Sequence, residues 1–324
     1  MSALPKVFIA RPPEGDALDR LRPYAEVVVW GEDRPASREE LIAHAHDAVG
    51  VLTSVADRID EAVLDACPNL RVVSNMAVGY DNFDVARLTQ RGIAAGNTPG
   101  VLTDATADIA MALILASTRR IVEGHNALLA GEWTSWNASF MLGFEISGAT
   151  LGLIGTGRIG LAVARRAQAF SMRVLATSRT RRAEPGIEYV ELDQLLSESD
   201  VVSVHVALNE QTRGMVGERE IGLMKPTSFL VNTARGAIVD QRALATALNR
   251  GAIAGAGIDV YCEEPVALDD PIVQAPNVVL LPHIGSATTK TRRAMADLAV
   301  DNLIAGLAGR PLVHCINPEV YNQR

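Results

Sequence analysis

Three residues at the ends of consecutive strand-like runs are placed to do chemistry together: Arg235 after Phe229–Asn232, Glu264 just beyond Ala256–Asp259, and His283 after Val278–Leu281. In an open parallel sheet the ligand crevice lies beyond the carboxyl ends of the strands, so side chains at successive strand ends can meet one ligand. A guanidinium grips a carboxylate through two parallel hydrogen bonds and polarises a carbonyl beside it. An imidazole titrates near neutrality, so it gives a proton in one direction of a reaction and takes it back in the other. A carboxylate such as Glu264 against that ring favours the imidazolium and holds it in one orientation. Singly, Arg235 reads as a surface charge, Glu264 as a loop acid and His283 as a satisfied strand-end side chain. Their recurrence at neighbouring strand ends argues for a shared task.

The second chemical signal is Gly155-Thr-Gly157-Arg158-Ile159-Gly160, which follows the apolar run from Leu151 and opens a helical segment, Leu161–Phe170. In a strand–turn–helix setting Gly155 permits the tight turn, Gly157 lets the backbone approach a pyrophosphate, and Gly160 lets the helix pack close to the strand. A site for NAD usually carries Asp or Glu about 20 residues further on, for the ribose 2′-hydroxyl. Here no acid occurs between Glu145 and Glu184, whereas Arg158, Arg165, Arg166, Arg173, Arg179, Arg181 and Arg182 do. The second strand ends in Ser178-Arg179-Thr180, hydroxyls and a guanidinium that suit a 2′-phosphate. The sequence therefore points to NADPH, with NADH as a possible substitute, Arg179 and Ser178 carrying most of the argument. A nicotinamide beside Arg235, Glu264 and His283 implies reduction of a small 2-oxo acid. The arginine takes the carboxylate, the dinucleotide delivers hydride to the carbonyl carbon, and His283 donates the proton.

The elements that must position these residues follow a rhythm of short β-branched runs alternating with helical patterns, which indicates parallel sheets covered by helices. One series comprises Val7–Ala10, Val27–Trp30, Val49–Thr53 and Val72–Ser74. The other comprises Leu151–Gly155, Val174–Thr177, Val201–Val206, Phe229–Asn232, Ala256–Asp259 and Val278–Leu281. Between them Asn97-Thr98-Pro99-Gly100 breaks the chain before Asp104–Arg120, an apolar helix read as a domain connector. Thr288–Gly309 has helical periodicity and no strand series after it, so it should return to the first sheet and leave that domain discontinuous.

A chain of 324 residues exceeds what one core usually serves, and 48% hydrophobic against 21% charged residues fits globular domains throughout. A formal charge of −8 repels a phosphate backbone, so nucleic acid is excluded as a partner. The longest apolar stretch, Ile109–Ala116, is too short to span a bilayer, and the N-terminus lacks the basic-then-apolar pattern of a signal peptide. Cys67, Cys262 and Cys315 are odd in number and far apart, which suits a reducing, cytoplasmic setting and no disulfide framework. No metal site is expected. His44 and His46 stand two apart in a helical segment and face different ways, and Cys262 has no histidine beside it to make it a nucleophile.

The chain resembles the D-isomer-specific 2-hydroxyacid dehydrogenase family over nearly its whole length. The resemblance rests on Ala77-Val-Gly-Tyr-Asp-Asn-Phe-Asp84, Thr106-Ala-Asp108, the Gly155–Gly160 fingerprint, Asn232-Thr-Ala-Arg235-Gly236, Gly257-Ile-Asp259-Val260 with Glu264-Pro265, and Pro282-His283-Ile-Gly-Ser286-Ala287. It implies an α/β fold of two doubly wound parallel-sheet domains. A discontinuous flavodoxin-like substrate domain would span 1–101 and 288–324, and a Rossmann dinucleotide-binding domain 102–287. It implies Arg235, Glu264 and His283 as the catalytic set, with Val78 and Gly79 offering backbone N–H groups to the substrate carboxylate alongside Arg235 and His283. The cofactor surface implied is Thr106, Gly155, Gly157, Arg158, Ile159, Gly160, Ser178, Arg179, Thr180, His205, Thr233, Ala234, Asp259 and Gly285, with Asp259 at the nicotinamide end.

Gly131-Glu-Trp133-Thr-Ser-Trp136, Ser178-Arg179-Thr180 and His283–Arg293 look like the glyoxylate/hydroxypyruvate reductase branch. Trp133 and Trp136 read as core or homodimer-interface residues, the family tending to place this segment at a dimer interface, at least as readily as direct substrate contacts. A dinucleotide-binding regulatory member with little turnover, or a dehydrogenase for another D-2-hydroxy acid, stays open. A phosphoglycerate dehydrogenase of the longer type would carry an extension beyond Arg324, and a phosphite-oxidising relative a lysine where Met76-Ala77-Val78 stands.

Overall fold

The computed structural model describes residues 3–181 and 183–323, so Arg182, named above among the arginines, lies outside the described residues. The chain divides into two compact units, Met1–Leu102 with Ser286–Arg324, and Thr103–Gly285.

The first unit alternates β1 (Lys6–Ile9), α1 (Ala17–Leu21), β2 (Glu26–Val29), α2 (Arg38–Ala45), β3 (Gly50–Thr53), α3 (Glu61–Ala66), β4 (Val72–Asn75), α4 (Val85–Gln90) and β5 (Ala94–Gly96). All five strands are parallel, in the order β2-β1-β3-β4-β5, the flavodoxin-like arrangement. Because side chains alternate along a strand, Phe8 packs to one face with Val51, Val73 and Leu88, while Val7 and Ile9 pack to the other with Leu52 and Val72. Both faces are covered, which is why these strands read as nearly unbroken apolar runs. His44 of α2 stacks on Phe8 at 5.3 Å between centroids, and the capping box of Ser37 and Glu40 starts that helix.

The second unit opens with α5 (Thr103–Thr118) and α6 (Ile121–Leu129), then runs β6 (Thr150–Ile154), α7 (Arg158–Ala169), β7 (Arg173–Thr177), β8 (Ile187–Tyr189), α8 (Leu192–Glu198), β9 (Val201–Val204), α9 (Glu218–Gly222), β10 (Phe229–Asn232), α10 (Gln241–Asn249), β11 (Gly255–Ile258) and β12 (Val278–Leu280). Its seven parallel strands lie in the order β12-β11-β10-β9-β6-β7-β8, a Rossmann sheet whose order reverses between β6 and β9. Arg166 of α7 ties back to Asp108 and Asp104 of α5 at 2.7 and 3.1 Å. The last helix, α11 (Thr289–Leu307), returns to the first unit, where Ala296, Ala299, Val300 and Leu303 pack with Val7, Ile9 and Leu52.

Three elements were not legible as such in the sequence. Strand β5 is Ala-Ala-Gly, with no β-branched side chain, and exists because it pairs with β4. Strand β8 is a three-residue edge with one partner, β7. Helix α6 lies beyond the helix expected over 104–120, which ends at Thr118, and the left-handed Arg120 (φ 53°) separates the two.

Candidate active site

The strand ends of the second unit bring His283 and Glu264 into contact. Nδ1 of His283 lies 2.5 Å from Oε2 of Glu264, and the other carboxylate oxygen accepts the Tyr261 N–H at 3.0 Å. Glu264 is thereby held at both oxygens, which fixes the imidazole it faces. Burial pushes the Glu264 carboxyl up. The hydrogen bond and charge of His283, the Tyr261 amide and the charge of Arg235 outweigh it and leave Glu264 below the usual carboxylate range. Both side chains remain about one-third exposed, at 29% for His283 and 33% for Glu264, so the ring is reachable from solvent.

The backbone that presents His283 is unusual. The residue sits at φ 53°, in the left-handed region that costs a non-glycine residue about 1 kcal/mol. Asp259, at the end of β11, offsets it. Its two carboxylate oxygens accept the N–H groups of Ile284 and Gly285, each at 2.7 Å. Hydrogen bonds to a charged acceptor contribute about 1.5–3 kcal/mol each, enough to hold the turn. The carboxyl is buried, which pushes it up, and the two amides only partly reverse that. Resemblance assigned Asp259 to the nicotinamide end; its contacts in this structure are with the turn that carries His283. Tyr261 was not singled out in the sequence. Its hydroxyl donates to Leu281 O at 2.9 Å and its amide holds Glu264, so it braces both partners of the pair.

Arg235 follows a turn built by Asn232. That buried side chain accepts the Ala234 N–H at 3.0 Å and donates to Arg235 O at 2.9 Å, and Arg235 Nη1 reaches Ala234 O at 2.9 Å. The next residue must be glycine. A Cβ on Gly236 would lie 1.9 Å from the carbonyl carbon of Tyr261, so only glycine lets the Arg235 turn press against the segment that leads to Glu264.

The fingerprint turn has the form its chemistry requires. Gly155 sits at φ 104°, and a Cβ on Gly160 would lie 2.1 Å from Gly155 O, whereas one on Gly157 would meet nothing within 4 Å. The surface over Gly157 is thus open at the N-terminus of α7, where Arg158 and Ile159 supply first-turn amides. His205 adjoins this turn, since its carbonyl is 2.7 Å from where a Gly155 Cβ would stand. Its ring takes a 2.8 Å hydrogen bond with Ser203, and burial pushes it down to about 4, leaving a neutral imidazole. Thr106 lies under Gly285, and Thr233 Oγ1 is buried with no partner among the described residues. An open glycine cradle and a helix N-terminus after β6, and an orphaned hydroxyl after β10 at the same carboxyl end of the sheet, fit a dinucleotide.

At the end of β7, Ser178 is half-buried and Arg179 and Thr180 are exposed. The arginines now separate by what they bind. Arg166 is taken by Asp104 and Asp108, Arg173 by Glu188 and Glu198, and Arg181 by Glu191, whereas Arg179 has no carboxylate partner among the described residues. Trp133 and Trp136 are 56% and 82% exposed, so they are not core residues of this chain. In the first unit, Val78 and Gly79 follow β4 at the carboxyl end of its sheet.

A Rossmann sheet carrying a phosphate cradle and an acid–base pair at its strand ends is that of a nicotinamide-dependent oxidoreductase. Residues 111–285 match the family model described as D-isomer specific 2-hydroxyacid dehydrogenase, NAD binding domain. A glyoxylate reductase of Korarchaeum cryptofilum is 46% identical over 99% of this chain and 98% of its own. One from Pyrococcus furiosus is 47% identical over 99% and 97%. Among solved structures, an NADPH-dependent glyoxylate/hydroxypyruvate reductase from Sinorhizobium meliloti, in complex with NADP and malonate, superposes with a TM-score of 0.88 at 35% identity, covering 98% of each chain. The chain belongs to the D-isomer-specific 2-hydroxyacid dehydrogenase family and is an NAD(P)-dependent enzyme of it.

Proposed function

We propose that the protein reduces glyoxylate and hydroxypyruvate to the corresponding 2-hydroxy acids with a preference for NADPH. The observation that carries the reading is the 2.5 Å pair of His283 and Glu264, with the charge of Arg235 felt at the same carboxylate. The unit Thr103–Gly285 takes the dinucleotide. When bound, the dinucleotide supplies the hydride. Arg235 binds the carboxylate and polarises the carbonyl, His283 gives its proton to the oxygen that develops negative charge, and Glu264 holds the ring in one orientation. The names of the relatives support glyoxylate as the substrate. Purified protein assayed with glyoxylate, hydroxypyruvate and pyruvate against NADPH and NADH tests the whole reading. No oxidation of either cofactor with any of the three acids would overturn it.

Cofactor choice rests on Arg179 together with Ser178 and Thr180. A guanidinium without a carboxylate partner is available to a 2′-phosphate, and no acid stands there to repel one. Arg179→Ala should lower kcat/KM for NADPH about 10-fold or more and leave that for NADH nearly unchanged, since only the phosphate loses a contact. An unaltered NADPH to NADH ratio would remove Arg179 from the assignment.

Glu264 acts as a carboxylate. Its carboxyl is held below the usual carboxylate range, so it is ionised wherever the enzyme is assayed near neutrality. Glu264→Gln keeps the shape and a hydrogen bond but not the charge, so the ring of His283 exchanges a charge-assisted partner for a neutral one. The two kinds of hydrogen bond differ by about 1 kcal/mol, and kcat/KM for glyoxylate should fall about 5- to 10-fold. A variant as active as the wild type would separate Glu264 from the work of His283.

We also propose a homodimer. Ile121, Val122, Leu128, Leu129, Trp133, Trp136 and Leu142 are exposed apolar side chains on α6 and the segment after it, more than a monomer usually leaves in one place. Light scattering on the purified protein should give twice the chain mass of 34.5 kDa.

A further inference from the structure

The backbone between β11 and β12, from Asp259 to Asn277, forms neither helix nor strand, yet it carries Glu264. Such a stretch has no hydrogen-bond ladder of its own, so its shape depends on the elements around it. Packing secures its later half, where Val266, Ile272, Val273 and Ala275 join the core of this unit. The turn Tyr261–Glu264 is held differently. Only Tyr261 of that turn is buried, and Cys262 and Glu263 are exposed, so apolar packing alone does not set where Glu264 points.

The hold is polar and comes from Gln241, the first residue of α10. Its Oε1 accepts the Cys262 N–H at 3.0 Å, and its Nε2 donates to Oδ2 of Asp270 at 2.9 Å. The other Asp270 oxygen accepts the Ile272 N–H at 2.9 Å, which ties Gln241 to the packed half as well. One side chain thus grips the connection at two points, on either side of Glu264. Because the Tyr261 N–H is bonded to Glu264 and the Cys262 N–H to Gln241, both peptide planes flanking the Tyr261 Cα are fixed, and with them its two backbone dihedrals. The Tyr261–Cys262 peptide also lies against Gly236, where a Cβ would be 2.4 Å from the Cys262 nitrogen, so it cannot retreat in that direction.

The residue type suits both contacts at once. A carboxylate at position 241 would accept from Cys262 but repel Asp270, and a lysine would pair with Asp270 but offer Cys262 no acceptor. Helix α10 needs neither bond for itself, because Asp240 already caps its first turn through the Arg242 and Ala243 amides.

We propose that Gln241 is a positioning residue for proton transfer, anchoring the turn that aims Glu264 at Nδ1 of His283. The proposal rests on the reading of His283 and Glu264 as the acid–base pair. Gln241→Ala should lower kcat/KM for glyoxylate about 3- to 5-fold, less than Glu264→Ala does, since an anchor is worth no more than the group it aims. The dissociation constant of NADPH should stay the same, because the glycine fingerprint lies after β6 and makes none of these contacts. A double-mutant cycle separates aiming from general support. With Glu264→Ala in place there is nothing left to aim, and adding Gln241→Ala should cost less than about 1.5-fold.

The exchange Gln241→Glu with Asp270→Asn reverses donor and acceptor between the two side chains and keeps acceptors for Cys262 and Ile272. It should return kcat/KM to within about 2-fold of the wild type. Gln241→Glu alone sets two carboxylates against each other and should lose as much as Gln241→Ala. Should Gln241→Ala fail to fold, the comparison of these two variants carries the test. Losses that multiply in the Glu264→Ala background overturn the proposal, and so does wild-type kcat/KM in Gln241→Ala or no recovery in the exchange. Full activity in Glu264→Ala would mean instead that the reading of the pair has failed.

Discussion

Replacing His283 by alanine should reduce kcat for glyoxylate reduction by about 10²–10⁴, with NADPH affinity nearly intact. On the proposed mechanism the ring serves proton transfer and takes no part in holding the dinucleotide. Its Nδ1 is occupied by Glu264 at 2.5 Å, so Nε2 is the nitrogen left to face a substrate oxygen. The dinucleotide cradle of Gly155, Gly157 and Gly160 lies at the end of β6 and depends on none of these contacts. On that mechanism, loss of the ring withdraws the proton donor and leaves Arg235 to stabilise the oxygen alone. The turn itself should survive, because Asp259 holds Ile284 and Gly285 through their backbone rather than through the imidazole. Alanine at φ 53° is less favoured than histidine there by about 1 kcal/mol, a several-fold preference that the two Asp259 hydrogen bonds exceed. Steady-state turnover and a fluorescence titration with NADPH measure the two quantities. Wild-type turnover in the variant would take His283 out of the mechanism, and a matching loss of NADPH binding would mean that the strand ends had been disturbed as a whole.

Arg235→Ala should lower kcat/KM for glyoxylate by about 10³ or more, because one side chain is asked both to bind the carboxylate and to polarise the carbonyl. Arg235→Lys should restore little. An ammonium is a point charge without the two-pronged geometry, and the turn that aims position 235 is rigid, since buried Asn232 ties Ala234 N and Arg235 O. A carbonyl substrate without a carboxylate, such as a small aldehyde, separates the two duties. Its reduction should fall far less in Arg235→Ala than that of glyoxylate. Equal losses for both would assign Arg235 to polarisation alone, and no loss for either would release it from the site.

The strands were legible because a parallel sheet covered on both faces needs apolar side chains at nearly every position, as in Val201–Val204 and Phe229–Asn232. Strands β5 and β8 were not, because Ala94–Gly96 and Ile187–Tyr189 owe their conformation to the neighbour they pair with rather than to their own residues. Arg235, Glu264 and His283 could be selected from residue type and strand-end position. Tyr261, Asn232 and Gln241 could not, because their work is to hold backbone carbonyls and amides of other segments.

The sequence alone determined that two helix-covered parallel sheets form, that one of them carries a glycine turn for a dinucleotide, and that an arginine, a glutamate and a histidine stand at neighbouring strand ends. These are properties of local pattern, written in the order of residue types along the chain. Only the tertiary structure decided that Glu264 meets His283 rather than solvent, that Asp259 sustains a left-handed histidine, that Arg181 is taken by Glu191 while Arg179 is left available, and that Gln241 grips the Cys262 amide. Each of those is a hydrogen bond or ion pair between residues from different turns of the chain, and its existence depends on distances of about 3 Å that residue order does not encode.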